Sequence, residues 1–222
     1  MSERPYNVIL ADPPWQFSAW GAGHKSRTAA SQYQTMSPVE LCSMGTALRR
    51  QCDAIAACFL WIPCSNLPIG LTVLAQWQVQ FKTIAFTWIK LNSHPVKDHS
   101  MAAALQRVTL GTADEVPLIT YQSKLYRPNF GMGHYSRQDT EICLLGMRGS
   151  MPVADRSVRQ SIHAPVREHS RKPDEQYARI EAMYPGAAYV ELFARQRRPG
   201  WAAHGDEREK FTPPEDQSHG CT

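Results

Sequence analysis

An acid, two prolines and a tryptophan follow an apolar segment near the start of the sequence. Residues 8–11 read VILA, and Asp12, Pro13, Pro14 and Trp15 come directly after them. Because two successive prolines stiffen a turn, the Asp12 carboxylate, the Pro13 carbonyl and the Trp15 ring are held in a nearly fixed relation. Two fixed acceptors beside an aromatic face suit a flat ligand with an amino group, such as adenine. From these residues alone, a proline-rich strand exit with a core tryptophan is an equally good interpretation.

A second candidate for chemistry is the basic segment 148–172. It carries six Lys and Arg side chains against two acids, so its net charge of +4 equals that of the whole chain. Charge alone does not separate a solvated loop from a phosphate-binding surface. If the segment flanks a binding pocket, its phosphate contacts are predicted to be Arg156, Arg159 and Arg167, which lie away from the ends of neighbouring elements.

The composition is that of an ordinary globular chain. With 222 residues, 43% hydrophobic and 20% charged, it can bury one sizeable core. The longest apolar runs, such as residues 54–62, are too short to cross a bilayer, and the first residues lack the apolar region of a signal peptide, so a cytoplasmic protein without membrane contacts is expected. The six cysteines form no CxxC pair and the histidines lack ligand spacing, which predicts reduced thiols and no metal.

Apolar strands alternate with helices along most of the chain. Strands are predicted at 7–11, 55–62, 81–90, 141–147 and 187–194, and helices from Ser37, over 66–77 and over 173–184. At Ser37 the letters SPVE offer an N-cap serine, an early proline and a capping-box glutamate. The alternation predicts an α/β fold with a mostly parallel sheet and helices on both faces. Since ligands bind beyond the carboxyl ends of such strands, residues 12–15 should lie at the functional rim.

Seven short motifs occur in order along the chain. They are DPPW at 12–15, YQTM at 33–36, FLWIP at 59–63, FTWIK at 86–90, EICLLGMRG at 141–149, SRKPDEQYARIEAMYPG at 170–186, and VELFAR at 190–195 followed by GW. Together they resemble the MT-A family, which comprises the catalytic subunit of the mRNA adenine methyltransferase and its bacterial and phage relatives. The resemblance spans about residues 7–207. It implies a single Rossmann-like methyltransferase domain over 1–207, with a permuted order in which the catalytic motif precedes the cofactor strand.

The activity implied by the resemblance is transfer of a methyl group from S-adenosylmethionine to the N6 amine of adenine. Asp12 and Pro13 would accept hydrogen bonds from the amine, pull it toward tetrahedral geometry and free its lone pair for in-line attack. Pro14 and Trp15 complete the implied catalytic motif. Asp12 also favours adenine over cytosine N4, because enzymes acting on cytosine usually carry serine at this position.

The cofactor contacts are carried over by position. The resemblance assigns them to Asp12, Lys172, Glu191, Arg195, Asp206 and Glu207. Lys172 is expected to hold the methionine carboxylate at the start of a helix, whose N-terminus favours the same anion. Arg197 and Arg198 depart from the family pattern, which has a His-Asn pair there, and no role follows for them.

The substrate contacts are expected at Trp15, Tyr33 and the three arginines of the basic segment. Tyr33 lies where the family has a mobile loop beside the target base, although a surface tyrosine is an equal alternative. Residues 91–138 are longer than their counterpart in the mRNA enzyme, which predicts a target-recognition insertion. Residues 208–222 are predicted to be a flexible tail.

The expected protein is therefore an adenine-specific, site-specific DNA methyltransferase of a bacterium or phage, acting in the cytoplasm of the cell. Two alternatives stay open: an RNA adenine-N6 methyltransferase, and a catalytically degenerate subunit that holds nucleic acid within a heterodimer. A homodimer is also open. The sequence does not give the recognition sequence.

Overall fold

The computed structural model describes residues 6–16, 35–96, 119–122, 124–131, 135–168 and 170–212. The strands are β1 (Tyr6–Ala11), β2 (Cys52–Ile62), β3 (Gln80–Leu91), β4 (Ile119–Tyr121), β5 (Lys124–Tyr126), β6 (Thr140–Arg148), β7 (Ser161–Pro165), β8 (Tyr189–Leu192) and β9 (Trp201–His204). The helices are α1 (Pro38–Ser43), α2 (Gly45–Gln51), α3 (Leu67–Gln76) and α4 (Glu175–Met183). Tyr33 lies outside the described residues. Within these ranges no helix is long and apolar enough to cross a membrane.

One sheet of seven strands organises the fold, in the order β7-β3-β6-β2-β1-β8-β9. Strands β1 and β2, β1 and β8, β8 and β9, and β3 and β7 pair in parallel. Strand β6 pairs antiparallel with both β2 and β3. The mostly parallel sheet confirms the predicted α/β fold and is consistent with a Rossmann-like methyltransferase.

Helices cover both faces of the sheet because the central strands are apolar on both sides. Ile9 of β1 packs in a core with residues of α1, α2 and α3, among them Leu41 and Leu74. Leu10, one residue later, packs on the other face against Ile180 of α4. Successive side chains of a strand point to opposite faces, so the run VILA fills both cores.

The start of α1 follows the sequence prediction closely. The Ser37 hydroxyl accepts a hydrogen bond from the Glu40 backbone N–H, and the Glu40 carboxylate accepts from the Ser37 backbone N–H at 2.7 Å. This reciprocal capping box satisfies two backbone donors that have no partner within the helix.

The antiparallel direction of β6 corrects the predicted place of the basic segment. Arg148, at the end of β6, pairs with Ala56 near the start of β2, at the edge of the sheet opposite Asp12. Ala154 then donates a backbone hydrogen bond to Met183 at the far end of α4. Strand β7 brings the chain back, so only residues after it reach the edge where Asp12 lies. Arg156 and Arg159 therefore do not flank the Asp12 pocket as expected, and their predicted contact with phosphates stays untested.

The loops that follow β8 and β9 meet backbone to backbone. Phe193 has a left-handed backbone with φ of 60°, which ends β8 two residues earlier than predicted. The Ala194 N–H then donates to the His204 carbonyl at 3.0 Å. A Cβ atom on Gly205 would lie 2.6 Å from both the nitrogen and the oxygen of Ala194, so this position requires glycine.

We expect Gly205→Ala to lower the free energy of unfolding by roughly 1 to 3 kcal/mol, because the added methyl group forces the two loops apart. Urea denaturation of the wild type and the variant measures this difference. Gly131→Ala is the matched control, since in the described part of the chain its added methyl group would meet the Gln138 carbonyl oxygen at 3.8 Å and nothing closer. Equal midpoints for the wild type and Gly205→Ala would show that the loops separate without cost.

Candidate active site

Asp12 lies at the carboxyl end of β1, between two parallel neighbours. Ala11, the last residue of β1, pairs with Leu60 of β2 on one side and with Leu192 of β8 on the other. The Asp12 side chain is largely buried, with 18% of its surface exposed. This is the rim predicted from the sequence, where ligands of parallel sheets bind.

The prolines after Asp12 form a tight turn. The Pro13 carbonyl accepts from the Trp15 backbone N–H at 2.8 Å, and the Pro14 carbonyl accepts from the Met36 backbone N–H at 2.9 Å. A carbonyl oxygen has two lone pairs, so Pro13 keeps the capacity to accept from a ligand.

Trp15 does not present its ring to a ligand. Only 4% of its surface is exposed, and its indole nitrogen donates to the Trp61 carbonyl at 2.9 Å. A buried indole needs such a partner for its N–H group, and the rest of the ring packs in the core beneath α1. In this arrangement Trp15 anchors the turn that carries Asp12, and its predicted stacking on a base stays untested.

A chain of alternating charges leads away from Asp12. The Lys172 ammonium lies 2.8 Å from both Asp12 carboxylate oxygens and 3.1 Å from the Glu141 carboxylate. Glu141 also contacts the Lys90 ammonium at 2.6 Å. On the other side of Asp12 lies the Arg195 guanidinium, at 4.0 Å. Three positive and two negative groups thus alternate across the carboxyl ends of β1, β3 and β8 and the start of β6.

Burial and neighbouring charges set the protonation of this chain. Burial raises the pKa of the Asp12 carboxyl, and the Lys172 ammonium opposes the shift. Burial acts in the same direction on Glu141, but Lys172 and Lys90 outweigh it and hold the pKa of Glu141 below its usual value. For Lys172, burial acts to lower the pKa, and the two carboxylates outweigh it and raise that pKa. Lys172 therefore stays charged at neutral pH.

The Lys172 ammonium already has acceptors for its three protons. Besides Asp12 and Glu141, the Ser170 carbonyl lies 3.3 Å away. A cofactor carboxylate would have to displace one of these acceptors. The contact that the structure does provide is between Lys172 and Asp12, so the lysine orients the carboxylate at the rim.

Arg167 fixes the loop that carries Lys172. Its guanidinium donates to the Lys172 carbonyl and to the Asp174 carboxylate, both at 2.6 Å. Ser170, inside the loop, has a left-handed backbone with φ of 58°. These contacts engage both terminal nitrogens of Arg167, so its place here is to hold the loop, and its predicted contact with a phosphate stays untested.

A large cavity opens beside Asp12 and has a volume of about 800 Å³. Its polar lining includes Asp12, Arg195, Asp206 and Glu207, four residues that the sequence assigned to a cofactor. Its apolar lining comes from α2, from the residues just before α1 and between α1 and α2, and from the end of β8, with Met36, Met44, Leu48, Leu192 and Phe193 among its members. The volume is within the range of small-molecule sites, and the mixture of apolar walls and a few polar groups is typical of them.

Glu191 lies deeper than Asp12, in a small polar space on the α4 side. Its carboxylate accepts from the Tyr177 hydroxyl at 3.0 and 3.1 Å, and only 8% of its surface is exposed. Burial raises the pKa of Glu191 to about 7, although the hydrogen bond from Tyr177 opposes this shift. Glu191 does not line the large cavity, so in this arrangement it would not contact a ligand bound there.

The residues that follow β8 are held by the end of the described chain. Phe211 donates its backbone N–H to the Arg195 carbonyl at 2.8 Å, and its ring lies 5.5 Å from the Arg195 guanidinium. Arg197 contacts Glu209 at 2.5 Å, and Arg198 lies over the Tyr177 ring at 4.5 Å. Residues up to 212 thus contact the loop after β8, and the predicted flexible tail over 208–222 stays untested.

The described part of 91–138 also reaches this rim. The Val96 N–H donates to the Leu125 carbonyl at 2.7 Å, which ties the β4–β5 hairpin to the segment after β3. Tyr121 of the hairpin packs against the core on the α4 face. Burial and then the charge of Glu175, in the first turn of α4, raise the pKa of Tyr121. The hairpin thus lies close to the loop that carries Lys172.

Sequence reasoning missed Glu141 and Tyr177 as members of the site. Both lie inside quoted motifs, Glu141 as the first letter of EICLLGMRG and Tyr177 within the helical motif. An acid at the first position of an apolar strand was the available signal. Among the described residues, no group of three or more His, Cys, Asp or Glu side chains could hold a metal.

A model of the MT-A70 family matches residues 118–207, which include Glu141, Lys172, Glu191 and Arg195. The chain is 29% identical over 206 residues to a putative N(6)-adenosine-methyltransferase MT-A70-like protein of Medicago truncatula, covering 91% of this chain and 26% of the relative. It is 24% identical over 205 residues to the human N(6)-adenosine-methyltransferase catalytic subunit METTL3, covering 91% of this chain and 28% of METTL3.

A shorter relative is the type II methyltransferase M.MunI of Mycoplasma sp, 24% identical over 218 residues. This match covers 90% of the chain and 77% of M.MunI. By contrast, the chain spans about a quarter of the length of the plant MT-A70-like relatives, with 26%, 24% and 23% covered. The MT-A70 match agrees with the family resemblance drawn from the seven motifs.

We expect Lys172→Met to lower the free energy of unfolding by about 3 to 5 kcal/mol, because it leaves two buried carboxylates without their shared cation. Combining it with Glu141→Gln should recover part of the loss, since one uncompensated charge is removed. Denaturant titration measures both variants. Lys82→Met is the control, because Lys82 is an exposed lysine near the start of β3, at the end of the strand away from the site. A loss below about 1 kcal/mol for Lys172→Met, the range of a surface pair, would contradict this account.

Glu191 gives the folded protein a pH dependence. Its pKa is about 7 in the fold and 4.5 ordinarily, so folding takes up a proton between these values and the free energy of unfolding falls as pH rises from about 4.5 to 7. Glu191→Gln should lack this fall and be more stable than the wild type at pH 8 by on the order of 1 to 3 kcal/mol. Urea titrations across this pH range measure the difference, and parallel pH curves for the two proteins would contradict it.

Proposed function

We propose that the chain is an S-adenosylmethionine-dependent methyltransferase that methylates the N6 amine of adenine in DNA. The observation that carries this proposal is Asp12, held by Lys172 at 2.8 Å and opening onto a cavity of about 800 Å³ at the carboxyl ends of the strands. The match to the MT-A70 family and the similarity to N(6)-adenosine-methyltransferases support the reaction class.

The chemical groups that line the cavity fit S-adenosylmethionine. Asp206 and Glu207 offer acceptors for ribose hydroxyls or the adenine amine, and Arg195 offers donors for an oxygen of the ligand. The apolar walls suit a purine ring. Asp12 would face the ammonium of the methionine part. When bound, the cofactor supplies an electrophilic methyl group on a sulfonium.

The chain's own residues prepare the nucleophile. The adenine amine is a poor nucleophile because its lone pair is delocalised into the ring. Hydrogen bonds from this amine to Asp12 and to the Pro13 carbonyl draw it toward tetrahedral geometry, and the rigid proline turn holds both acceptors in place. The N6 nitrogen would form a bond to the methyl carbon while the bond from that carbon to the sulfonium sulfur breaks and the sulfur leaves as a neutral thioether. The nitrogen would lose one proton, for which Asp12 is a placed acceptor.

The DNA substrate is the finer part of the proposal. Support comes from M.MunI, a type II methyltransferase that the chain matches over 77% of its length. RNA is the second candidate, because relatives with 27 to 29% identity are named N(6)-adenosine-methyltransferases. We further propose that residues 91–138 contain target-recognition elements, which the place of the β4–β5 hairpin near the Lys172 loop supports. A cytoplasmic location and a homodimer stay predictions.

A third candidate is a nucleic-acid-holding subunit that has lost the chemistry. The complete DPPW motif and the contact between Lys172 and Asp12 favour an active enzyme over this alternative. Binding of S-adenosylmethionine, measured by calorimetry, separates the two, since a degenerate subunit has no need of the cofactor.

The deciding experiment is the transfer of labelled methyl groups from S-adenosylmethionine to duplex DNA, single-stranded DNA and RNA, followed by analysis of the nucleosides. N6-methyldeoxyadenosine as the main product supports the proposal. N6-methyladenosine from RNA would move the RNA candidate to first place, and the absence of any labelled product would contradict both.

We expect Asp12→Ala to lower the turnover rate about 100- to 1,000-fold, the effect of removing one preorganised polar group from an active site. Asp12→Asn should lower the turnover rate as well, because the NH₂ group of the asparagine cannot accept a hydrogen bond from the amine. Single-turnover rates on the best substrate measure the loss. Asp155→Asn, near the opposite edge of the sheet, is the control and should keep the wild-type rate. Near-normal turnover in a folded Asp12→Ala protein would remove Asp12 from the mechanism.

A further inference from the structure

Phe130 is an exposed aromatic residue on a fixed piece of backbone. Half of its surface, 50%, is open to solvent. On one side, the Asn129 N–H donates to the Lys90 carbonyl at 2.7 Å, and on the other, the Gly131 N–H donates to the Gln138 carbonyl at 2.8 Å. A large apolar ring held in water on an ordered segment is available for a ligand.

Contacts lead from this segment to Asp12. The Lys90 carbonyl accepts the hydrogen bond from Asn129, and the Lys90 ammonium lies 2.6 Å from the Glu141 carboxylate. Glu141 shares Lys172 with Asp12. Phe130 therefore lies on the β3 side of Asp12, whereas the 800 Å³ cavity lies on the side of β8 and β9.

Cations lie on the same segment as Phe130. Arg127 and Lys124 have exposed side chains within the six residues that precede it. The Arg127 backbone is fixed, because its carbonyl accepts from the Asn92 N–H at 2.8 Å. An exposed ring next to cations is the combination with which proteins bind unpaired nucleotides, the ring contacting the base and the cations the phosphates.

We propose that Phe130 stacks on an unpaired base next to the target adenine, with Arg127 and Lys124 binding the phosphates of that stretch. This rests on the proposed function, since it places the target adenine at Asp12. A target base that leaves its stack exposes the faces of its neighbours, and an aromatic ring on the flank of the site compensates for the lost stacking. Because every base has a flat face, the contact needs no particular sequence.

The test compares Phe130→Ala with a matched control, Phe81→Ala. Phe81 is similarly exposed, at 41%, but lies at the start of β3, far from Asp12. Phe130→Tyr keeps a ring for stacking. Affinity is measured by fluorescence anisotropy on single-stranded DNA with one adenine, and on the same DNA with an abasic residue on the 5′ or the 3′ side of that adenine.

Stacking predicts that Phe130→Ala weakens binding of the intact DNA about 5- to 150-fold. The loss should largely disappear on the DNA whose flanking base is removed on one side. Phe130→Tyr and Phe81→Ala should bind like the wild type. An equal loss on intact and both abasic DNAs, or no loss on intact DNA, would overturn the stacking.

Methyl transfer by the wild type distinguishes the two levels of the proposal. If the wild type methylates adenine in DNA while Phe130→Ala binds normally, only the stacking is overturned. If the wild type methylates no nucleic acid, the proposed function fails and the stacking fails with it.

Discussion

The ammonium of Lys172, shared between Asp12 and Glu141, is the interaction on which the site depends. Each of the two carboxylates is largely buried, and burial alone would favour their neutral forms. One cation within 2.8 Å of Asp12 and 3.1 Å of Glu141 compensates both, and Lys90 completes the compensation of Glu141. Such a cluster contributes little net stability compared with apolar packing, because desolvation offsets its attraction. What it contributes is orientation, since a carboxylate held through both oxygens cannot rotate away from the rim.

The direction of β6 makes this cluster attainable. Parallel strands bring their carboxyl ends to one edge of a sheet, which is how Asp12 and Leu192 come together. Glu141 is the second residue of β6, and it reaches the same edge only because β6 runs antiparallel to its neighbours. The same reversal carries the chain after Arg148 to the opposite edge. The antiparallel direction of β6 therefore brings Glu141 into the charge cluster and places Arg156 and Arg159 away from it.

These residues show what the sequence could predict and what it could not. Continuous apolar runs bounded by polar residues identified the central strands, and the SPVE letters identified the start of α1, because these signals are local. The direction of β6 depends on pairing with β2 and β3, which an apolar run does not encode. For Trp15, stacking and core packing were equal interpretations from the motif, and the structure buries its ring beneath α1. Glu141 was overlooked because an acid at the start of an apolar strand is most simply interpreted as the strand boundary. Its partner Lys172 comes from a loop that is distant in sequence.

The position of β1 inside the sheet has a consequence for the proposed reaction. Methyl transfer requires the attacking amine to approach the methyl carbon in line, from the side opposite the sulfur of the donor. Asp12 directly follows β1, with β8 and β9 on one side and β2, β6 and β3 on the other. The large cavity draws its lining from the ends of β8 and β9 and from α1 and α2, so a donor bound there occupies one flank. The other flank is formed by Lys90, Glu141 and the segment of Phe130, and it is the side from which an adenine can reach Asp12 without displacing the donor. In the proposed reaction the charge cluster would form the boundary between the two binding regions, and its rigidity would keep the two reactants in line.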